Sequence, residues 1–318
     1  MKRDLKGILL ICLFLGFSLF PGLWPDPYFL HLLILFFVFA VLVSSWNILF
    51  GYMGIFCFGQ QAFFGIGAYG SALFALKLGV PIPLAIVIGG ILAMLSSLLI
   101  GLPSLRLRGA YVALVTLAFA EVMRMTCSNW VDVTRGQLGL TVPALFPGAG
   151  RVGYYYASFA AFLLSIGLLW KIFRSSFGYV AVAIRESQEA SSSLGIDIVK
   201  YKLLAFMLSS FMAGIAGAFY SHYILILTPD IMGLHIMISI LVMGMLGGLG
   251  TLEGPIVGTF VLIFLSEYLR EFGQFRFIIY GSLIILSVLF IPGGLVNLLR
   301  WIERQLKRSS LPYKKGLL

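Results

Sequence analysis

The sequence predicts an all-α integral membrane protein with about ten transmembrane helices, and three observations predict it. Hydrophobic residues make up 60% of the chain, charged residues 11%, and the mean hydropathy is +1.04; a soluble domain carries roughly 25% charged residues. Apolar runs near or above ~18 residues recur along the whole length, each long enough for a helix to cross a bilayer. The basic residues cluster in short connections between those runs. A β-barrel would instead show short alternating segments, and none are visible. The formal net charge of +10 raises nucleic acid as a ligand. Its placement in loops and tails is the positive-inside pattern of a membrane protein, so no nucleic-acid partner is inferred.

In chain order, Lys2, Arg3 and Lys6 precede a first apolar run to Phe20. No small-residue cleavage site precedes Trp24-Pro25-Asp26-Pro27, so this run reads as a retained span. The second span runs from about Tyr28 to Phe50, and Gly51 to Gly54 makes a tight turn. The third, to about Leu76, holds Gly59, Gly65, Gly67, Ala68, Gly70 and Ser71, small residues that let helices approach closely. Gln60 and Gln61 lie at membrane depth, where an amide needs internal partners, and are candidate pathway residues. Pro83 to Gly101 is the fourth span. A loop with Arg106 and Arg108 leads to the fifth, Ala110 to about Thr126. Glu121 and Arg124 stand three apart on it and can pair along one face. That pair reads either as self-satisfied near the outer surface or as a pathway charge.

A Gly- and Pro-rich loop follows from Cys127 to Gly153, then a sixth span to Trp170. The seventh, Leu203 to about Leu227, carries Ser209, Ser210, Gly214, Gly217 and Ser221. The eighth runs from about Ile231 into Gly244-Met-Leu-Gly-Gly-Leu-Gly250. A short ninth ends near Ser266, and the tenth ends at Pro292-Gly293-Gly294. In the tail from residue 295 to 318, Leu295, Leu298, Leu299, Ile302 and Leu306 share a helical face beside Arg300, Arg304, Lys307 and Arg308. That is a basic interfacial helix.

With an even number of spans both termini lie on one side. The N-terminal cluster, Arg106, Arg108, the loop from Lys171 to Lys202 and the tail then fall inside. Lys77, Arg135, Arg151, Arg270 and Arg276 fall outside. Both termini are expected to be cytoplasmic. Span 2 then starts outside and span 7 inside, so spans 2–5 and 7–10 can form an inverted repeat.

Lys171 to Lys202 is the longest polar interruption of the apolar pattern. Ser187 is a good N-cap, with Gln188 and Glu189 in the first turn, where negative charge suits the helix dipole. Ala190 and Leu194 share a face, and Gly195 stands where a chain leaves a helix in the left-handed conformation. A short capped helix with one apolar edge is expected there. No metal-ligand or disulfide spacing links Cys12, Cys57 and Cys127, and His31, His222 and His235 are dispersed. There is no catalytic cluster and no G-x-x-x-x-G-K-[ST] phosphate loop, so an enzyme is not expected and no cofactor is inferred.

Glu189-Ala190-Ser191, then Gly195, resembles the "EAA…G" signature of ABC-importer permeases. Phe177-Gly178, Ala183-Ile184-Arg185-Glu186 and Lys202-Leu-Leu-Ala-Phe206 are similar to the branched-chain amino-acid branch of that family. So are Asn47-Ile-Leu-Phe-Gly-Tyr-Met-Gly54, Ala62-Phe-Phe-Gly-Ile-Gly-Ala-Tyr69, Val115-Thr-Leu-Ala-Phe-Ala-Glu121 and Gly247-Gly-Leu-Gly-Thr-Leu-Glu-Gly-Pro255. Leu105-Arg-Leu-Arg-Gly-Ala-Tyr111 favours the LivM type of the two paired permeases. Ser191, Tyr179 and Val182 depart from the pattern, as do Cys57 and Gln60 where relatives often carry Ser and His.

The resemblance implies a single permease domain over residues 1–318 with a type II ABC-importer fold, in a bacterial or archaeal plasma (inner) membrane. It implies a heterodimer with a second homologous permease, two cassette ATPase subunits on the cytoplasmic side and an external substrate-binding protein. Arg185, Glu186, Ser187, Glu189, Ala190 and Gly195 would then couple to the ATPases. The substrate would be a branched-chain or related amino acid. A stand-alone secondary transporter or channel for a small polar solute is the competing expectation, because glycine-rich, broken spans suit it too.

Overall fold

The computed structural model describes residues 26–104, 107, 109–148 and 150–269, with short pieces at 21–22, 278–279, 281–282 and 293–298. The expected first span, most of the tenth, Arg106, Arg108 and most of the basic tail lie outside the described residues.

Helix α1, Pro27–Asn47, starts at Asp26, whose carboxylate accepts from the Tyr28 backbone N–H at 2.8 Å, with Pro27 at the first helical position. A proline is harmless there because that N–H has no intrahelical partner. Its side chains are almost uniformly apolar, so it has no polar stripe to turn toward water, and it forms the centre of the bundle. The apolar stretch of α1 is 89% buried, against 28% for the later helix at Ala110–Asn129 and 17% for that at Gly150–Phe173. Those two therefore lie at the periphery. The helix ends in a π turn over Ile48–Tyr52.

Helices α2 (Gln60–Leu78), α3 (Ile82–Ser104) and α4 (Ala110–Asn129) follow. A short α5 (Val131–Thr134), a 3-10 turn at Gly136–Leu138 and strand β1 (Leu140–Thr141) lead to α6 (Gly150–Phe173). Next come α7 (Ser176–Glu186), α8 (Gln188–Ser193) and α9 (Ile198–Ile224). Strand β2 (Ile226–Leu227) and a 3-10 turn at Pro229–Met232 precede α10 (Leu234–Gly247) and α11 (Glu253–Tyr268). Successive long helices alternate in direction, so the two ends of the bundle are distinct. One end carries residues 171–202, the end of α1 and the α10–α11 turn. The far end carries residues 127–148 and the β2 region.

Among the described residues, five helices are long and apolar enough to cross a membrane: α1 with its π turn, α3, α4, α6 and α9. Helix α2 has the length but carries Gln60, Gln61, Ser71 and Lys77. Helices α10 and α11 have 14 and 16 residues. All three are held inside the bundle by backbone-to-backbone packing. A Cβ at Gly89 would stand 2.5 Å from the Gly67 carbonyl oxygen, and one at Gly67 would overlap the Gly214 backbone. One at Gly217 would overlap the Phe64 carbonyl. Helices α2, α3 and α9 thus meet at glycines, the usual way to bring helices close where lipid offers no hydrophobic drive. Gly247, Gly254 and Gly258 do the same between α10 and α11.

Three regions differ from the sequence reading. The third span does not begin at Ile55. Residues 54–59 form no regular element, and α2 starts at Gln60. Gly54 has φ of +68°, and the segment is fixed from outside itself: Trp46 Nε1 donates to Cys57 O at 2.8 Å, and Phe58 N donates to Thr116 Oγ1 at 2.9 Å. Irregular backbone survives inside a membrane protein only where neighbours satisfy it.

The expected loop from Cys127 to Gly153 holds α5, the 3-10 turn and β1, and α6 begins at Gly150. Strand β1 pairs antiparallel with β2, Leu140 opposite Leu227 and Thr141 opposite Ile226. Local sequence cannot show a two-residue ladder between segments so far apart. His222 holds the same loop down: its Nδ1 donates to Pro143 O at 2.8 Å, which leaves Nε2 to accept from Ser71 Oγ at 2.8 Å. The third difference is α7, a separate helix before the expected short one.

The glycine contacts give a stability prediction. Gly217→Leu should cost about 1–3 kcal/mol through overpacking. It should therefore lower the melting temperature and the monodisperse yield of the detergent-extracted protein. Gly167→Leu, at a position where a Cβ meets nothing within 4 Å, should match wild type in the same assay.

Candidate functional site

The polar connection between α6 and α9 is built of two helices separated by a single extended residue. Helix α7 is capped by Ser175, whose Oγ accepts from Phe177 N, and buries Gly178, Ala181 and Ile184, three apart, against the bundle. Tyr179 and Val182 face away and are exposed. Ser187 then adopts an extended conformation, φ −157° and ψ 112°, which ends α7 and starts α8. Its Oγ accepts from Ala190 N at 3.2 Å, the N-cap bond the sequence predicts.

Helix α8 presents Glu189, Ala190 and Ser192 to solvent, and its one buried member is Ser191, whose Oγ donates to Ser187 O at 2.8 Å. Leu194 is 81% exposed, so the expected apolar edge faces outward and is not packed on the bundle. Gly195 has φ of +80°, and a Cβ there would meet nothing within 4 Å. The glycine serves backbone conformation and not close packing. Asp197 caps α9 by accepting from Lys200 N at 3.0 Å. Lys202 Nζ donates to Gln188 Oε1 at 3.0 Å and ties α8 to the first turns of α9. At the first turn of α8 lies a cavity of about 270 Å³, lined by Ile55, Phe56, Val112, Glu189, Lys202 and Phe206 among others.

Arg185 and Glu186 sit at the root of α8. Their side chains form an ion pair of 2.8 Å, and Glu186 stays 69% exposed. Arg185 turns inward: its Nη1 donates to Gly51 O at 2.7 Å in the π turn after α1. Beside it Asn47 bridges to the α10–α11 turn, its Oδ1 accepting from Gly250 N at 2.9 Å and its Nδ2 donating to Thr251 O at 2.8 Å. Asn47 is 2% exposed and was not singled out from sequence. The available signal was an amide next to a glycine-rich break at membrane depth.

Gln60 and Gln61 are both buried, at 0% and 1% exposure. Gln60 Nε2 donates to Ser45 Oγ at 2.7 Å and Ser209 Oγ at 3.1 Å, and Ser209 Oγ donates to Ser45 O at 2.7 Å. This knot joins α1, α2 and α9. Gln61 Oε1 has no hydrogen-bond partner among the described residues. Glu121 and Arg124 pair on α4 as their spacing predicts, with Arg124 Nε at 2.9 Å from Glu121 Oε2. They lie far from α8, on a helix whose outer face (Tyr111, Leu114, Val122, Met125) is exposed. Among the described residues no group of three His, Cys, Asp or Glu side chains could hold a metal ion. Cys57 and Cys127 are free and buried.

Antiparallel helices of crossing length, broken backbone held inside the bundle and a capped polar helix projecting from one end define a multi-pass membrane protein of transporter class. Residues 28–291 match the family model of the branched-chain amino acid transport system / permease component, and the chain belongs to that family. It is 27% identical over 291 residues to the high-affinity branched-chain amino acid transport system permease protein LivM of Escherichia coli K12, covering 83% of this chain and 68% of that one. It is 24% identical over 232 residues to the probable LivM permease of Methanocaldococcus jannaschii, covering 67% of each chain. It is also 26% identical over 200 residues to the LivH permease of E. coli K12, covering 58% of this chain and 64% of that one. No solved structure matches the chain.

The caps of α8 can be tested directly. Gly195→Val forces a branched residue to positive φ, at about 1–2 kcal/mol. It should speed amide hydrogen exchange in the peptide spanning residues 188–197 several-fold by mass spectrometry, whereas Ser192→Val, on the exposed face, should leave it within about twofold of wild type.

Proposed function

We propose that this chain is the membrane-spanning permease subunit of an ATP-driven importer for branched-chain or related amino acids. The observation that carries the proposal is α8: a six-residue helix, capped at both ends, that projects Glu189, Ala190 and Leu194 outward from a chain of this permease family. A helix so short is marginal alone and needs a surface to hold it. Leu194 standing in water at 81% exposure points the same way. In this reading α8 is the coupling helix. Glu189 and Ala190 meet a cassette ATPase, Ser187 and Gly195 fix the helix ends, and Arg185 and Glu186 anchor its root. The chain has no nucleotide-binding motif of its own, so ATP hydrolysis belongs to two partner subunits.

The helix directions support the inferred orientation. Residues 171–202 would be cytoplasmic and residues 127–148 external, with both termini cytoplasmic by the basic-residue bias. Helix α1 runs from the far end toward α8, while α9 runs away from it. That opposition suits an inverted repeat of spans 2–5 and 7–10 within a single ten-span domain of type II architecture. Similarity to both LivM and LivH relatives supports pairing with a second, homologous permease. The uncovered face of α4, carrying Glu121, is the surface we assign to that heterodimer and to the pathway between the subunits. Gln61 is the amide free to meet a polar substrate, and Gln60 shapes the path by joining three helices. An external binding protein would deliver the amino acid to the far end, and alternating access would move it through.

Two experiments test this. Single cysteines at Ser192 and Gln137, in a background without the native cysteines, should label from opposite sides of the membrane; both positions are exposed. Labelling of both from outside refutes the orientation. In proteoliposomes holding the complete transporter, Glu189→Lys should reduce ATP-driven uptake about tenfold at matched membrane levels, in line with a lost charge-assisted contact. Wild-type uptake by Glu189→Lys would remove α8 from the coupling role, and uptake by this chain alone without ATP would favour a secondary transporter.

A further inference from the structure

The coupling reading says what α8 touches but not how its movement reaches the transmembrane helices. The cavity of about 270 Å³ at the first turn of α8 lies between that turn and Phe56, Val112 and Phe206, so on this side a push on α8 is not delivered by packing against α4. Two side-chain bonds tie the N-terminal end of α8 and its root to the bundle. Lys202 Nζ to Gln188 Oε1 is a flexible contact between solvent-facing groups. The other is Arg185, two residues before the N-cap of α8.

At Arg185 three chain segments converge. Its Nη1 donates to Gly51 O at 2.7 Å, its stem lies along Gly54 with Cγ 3.0 Å from where a Cβ would stand, and Nη1 is 3.0 Å from where a Cβ on Gly250 would stand. Gly51 in turn leaves no room for a side chain: a Cβ there would overlap Asn47 Oδ1 and lie 2.5 Å from Gly250 N. Asn47 locks the arrangement by holding Gly250 N and Thr251 O. The α10–α11 turn it holds has Gly248 and Gly250 at φ of +118° and +71° and is closed by Thr251 Oγ1, which accepts from Gly254 N at 3.0 Å. The ion pair with Glu186 fixes the plane of the guanidinium. Arg185 is thus bonded to the broken end of α1, and through Asn47 that end is bonded to the α10–α11 turn.

We propose that Arg185 and Asn47 are positioning residues that form a mechanical relay, carrying displacement of α8 to the end of α1 and to the α10–α11 turn. The inference rests on the coupling role of α8. The fork geometry of the guanidinium matters, because a single flexible donor would let α8 move without dragging Gly51. A π turn at the end of α1 is in keeping with such a role, since single π turns within helices are frequent at functional sites.

The test uses the assembled transporter, with its partner permease, ATPases and binding protein, in proteoliposomes. Arg185→Met should leave the ATPase subunits co-purifying with the permease but lower uptake per ATP hydrolysed about tenfold, the size of a typical coupling energy. Arg185→Lys should fall between Met and wild type, and it carries the same comparison if the Met variant inserts poorly. Asn47→Asp, which loses the donor to Thr251 O, should show the same loss, and the double variant should be no worse than the worse single. Uptake per ATP at the wild-type level in Arg185→Met overturns the relay. So does loss of the ATPase subunits on purification, which would make Arg185 a docking contact, and so does full additivity with Asn47→Asp. Failure of the coupling reading itself is read separately, from wild-type uptake in Glu189→Lys.

Discussion

Backbone proximity is the constraint on which the bundle rests. In lipid, helices gain nothing from hiding leucines, and cohesion comes from contact area and from satisfied polar groups. Gly67, Gly89, Gly214 and Gly217 bring α2, α3 and α9 so close that side chains at those points have no room. Once the three are drawn together, Gln60 can reach Ser45 and Ser209, and the buried amide becomes a fastening between α1, α2 and α9. Helix α2, with its two buried glutamines, thus owes its place in the interior to the smallest residues of the chain.

The polar fastenings fall at breaks in the helices. Residues 54–59 have no ladder of their own and borrow bonds from Trp46 and Thr116. The α10–α11 turn borrows from Asn47. The far-end loop borrows from His222, from Tyr154, whose hydroxyl accepts from Phe146 N, and from the strand partner at Ile226–Leu227. In each case a side chain on a regular helix stabilises an irregular stretch. The helices are frame, and the irregular stretches are where the ends of the protein acquire shape. Helix α8 stands apart from this pattern, since Ala190 and Leu194 stand exposed on its outward edge.

The sequence disclosed what is set locally. Apolar runs located α1, α3, α4, α6 and α9, the Ser187 cap and the Gly195 exit marked α8, and the i, i+3 spacing paired Glu121 with Arg124. What it withheld is set by distant partners. Nothing near Ile55 says that the stretch to Gly59 stays outside the helix, because its bonds go to Trp46 and Thr116. The family resemblance marks Arg185 for the coupling loop, but nothing near it in sequence shows that Gly51, 134 positions away, draws it inward. Leu194 has the right spacing for a packed edge and is left outside, because spacing fixes which residues share a face and not which way that face turns.

The fastening of α2 also bears on how the chain is made. Phe58 N finds its acceptor 58 residues later in the chain, and Gln60 finds Ser209 149 residues later. When α2 leaves the ribosome Ser45 is already in place for Gln60, but Thr116 and Ser209 are not, and a partly satisfied amide is unfavourable in hydrocarbon. Helix α2 is therefore poorly suited to enter lipid alone. Its release into the bilayer would have to wait for α9, and membrane integration of this chain would be a collective, late event and not a helix-by-helix march from the N-terminus.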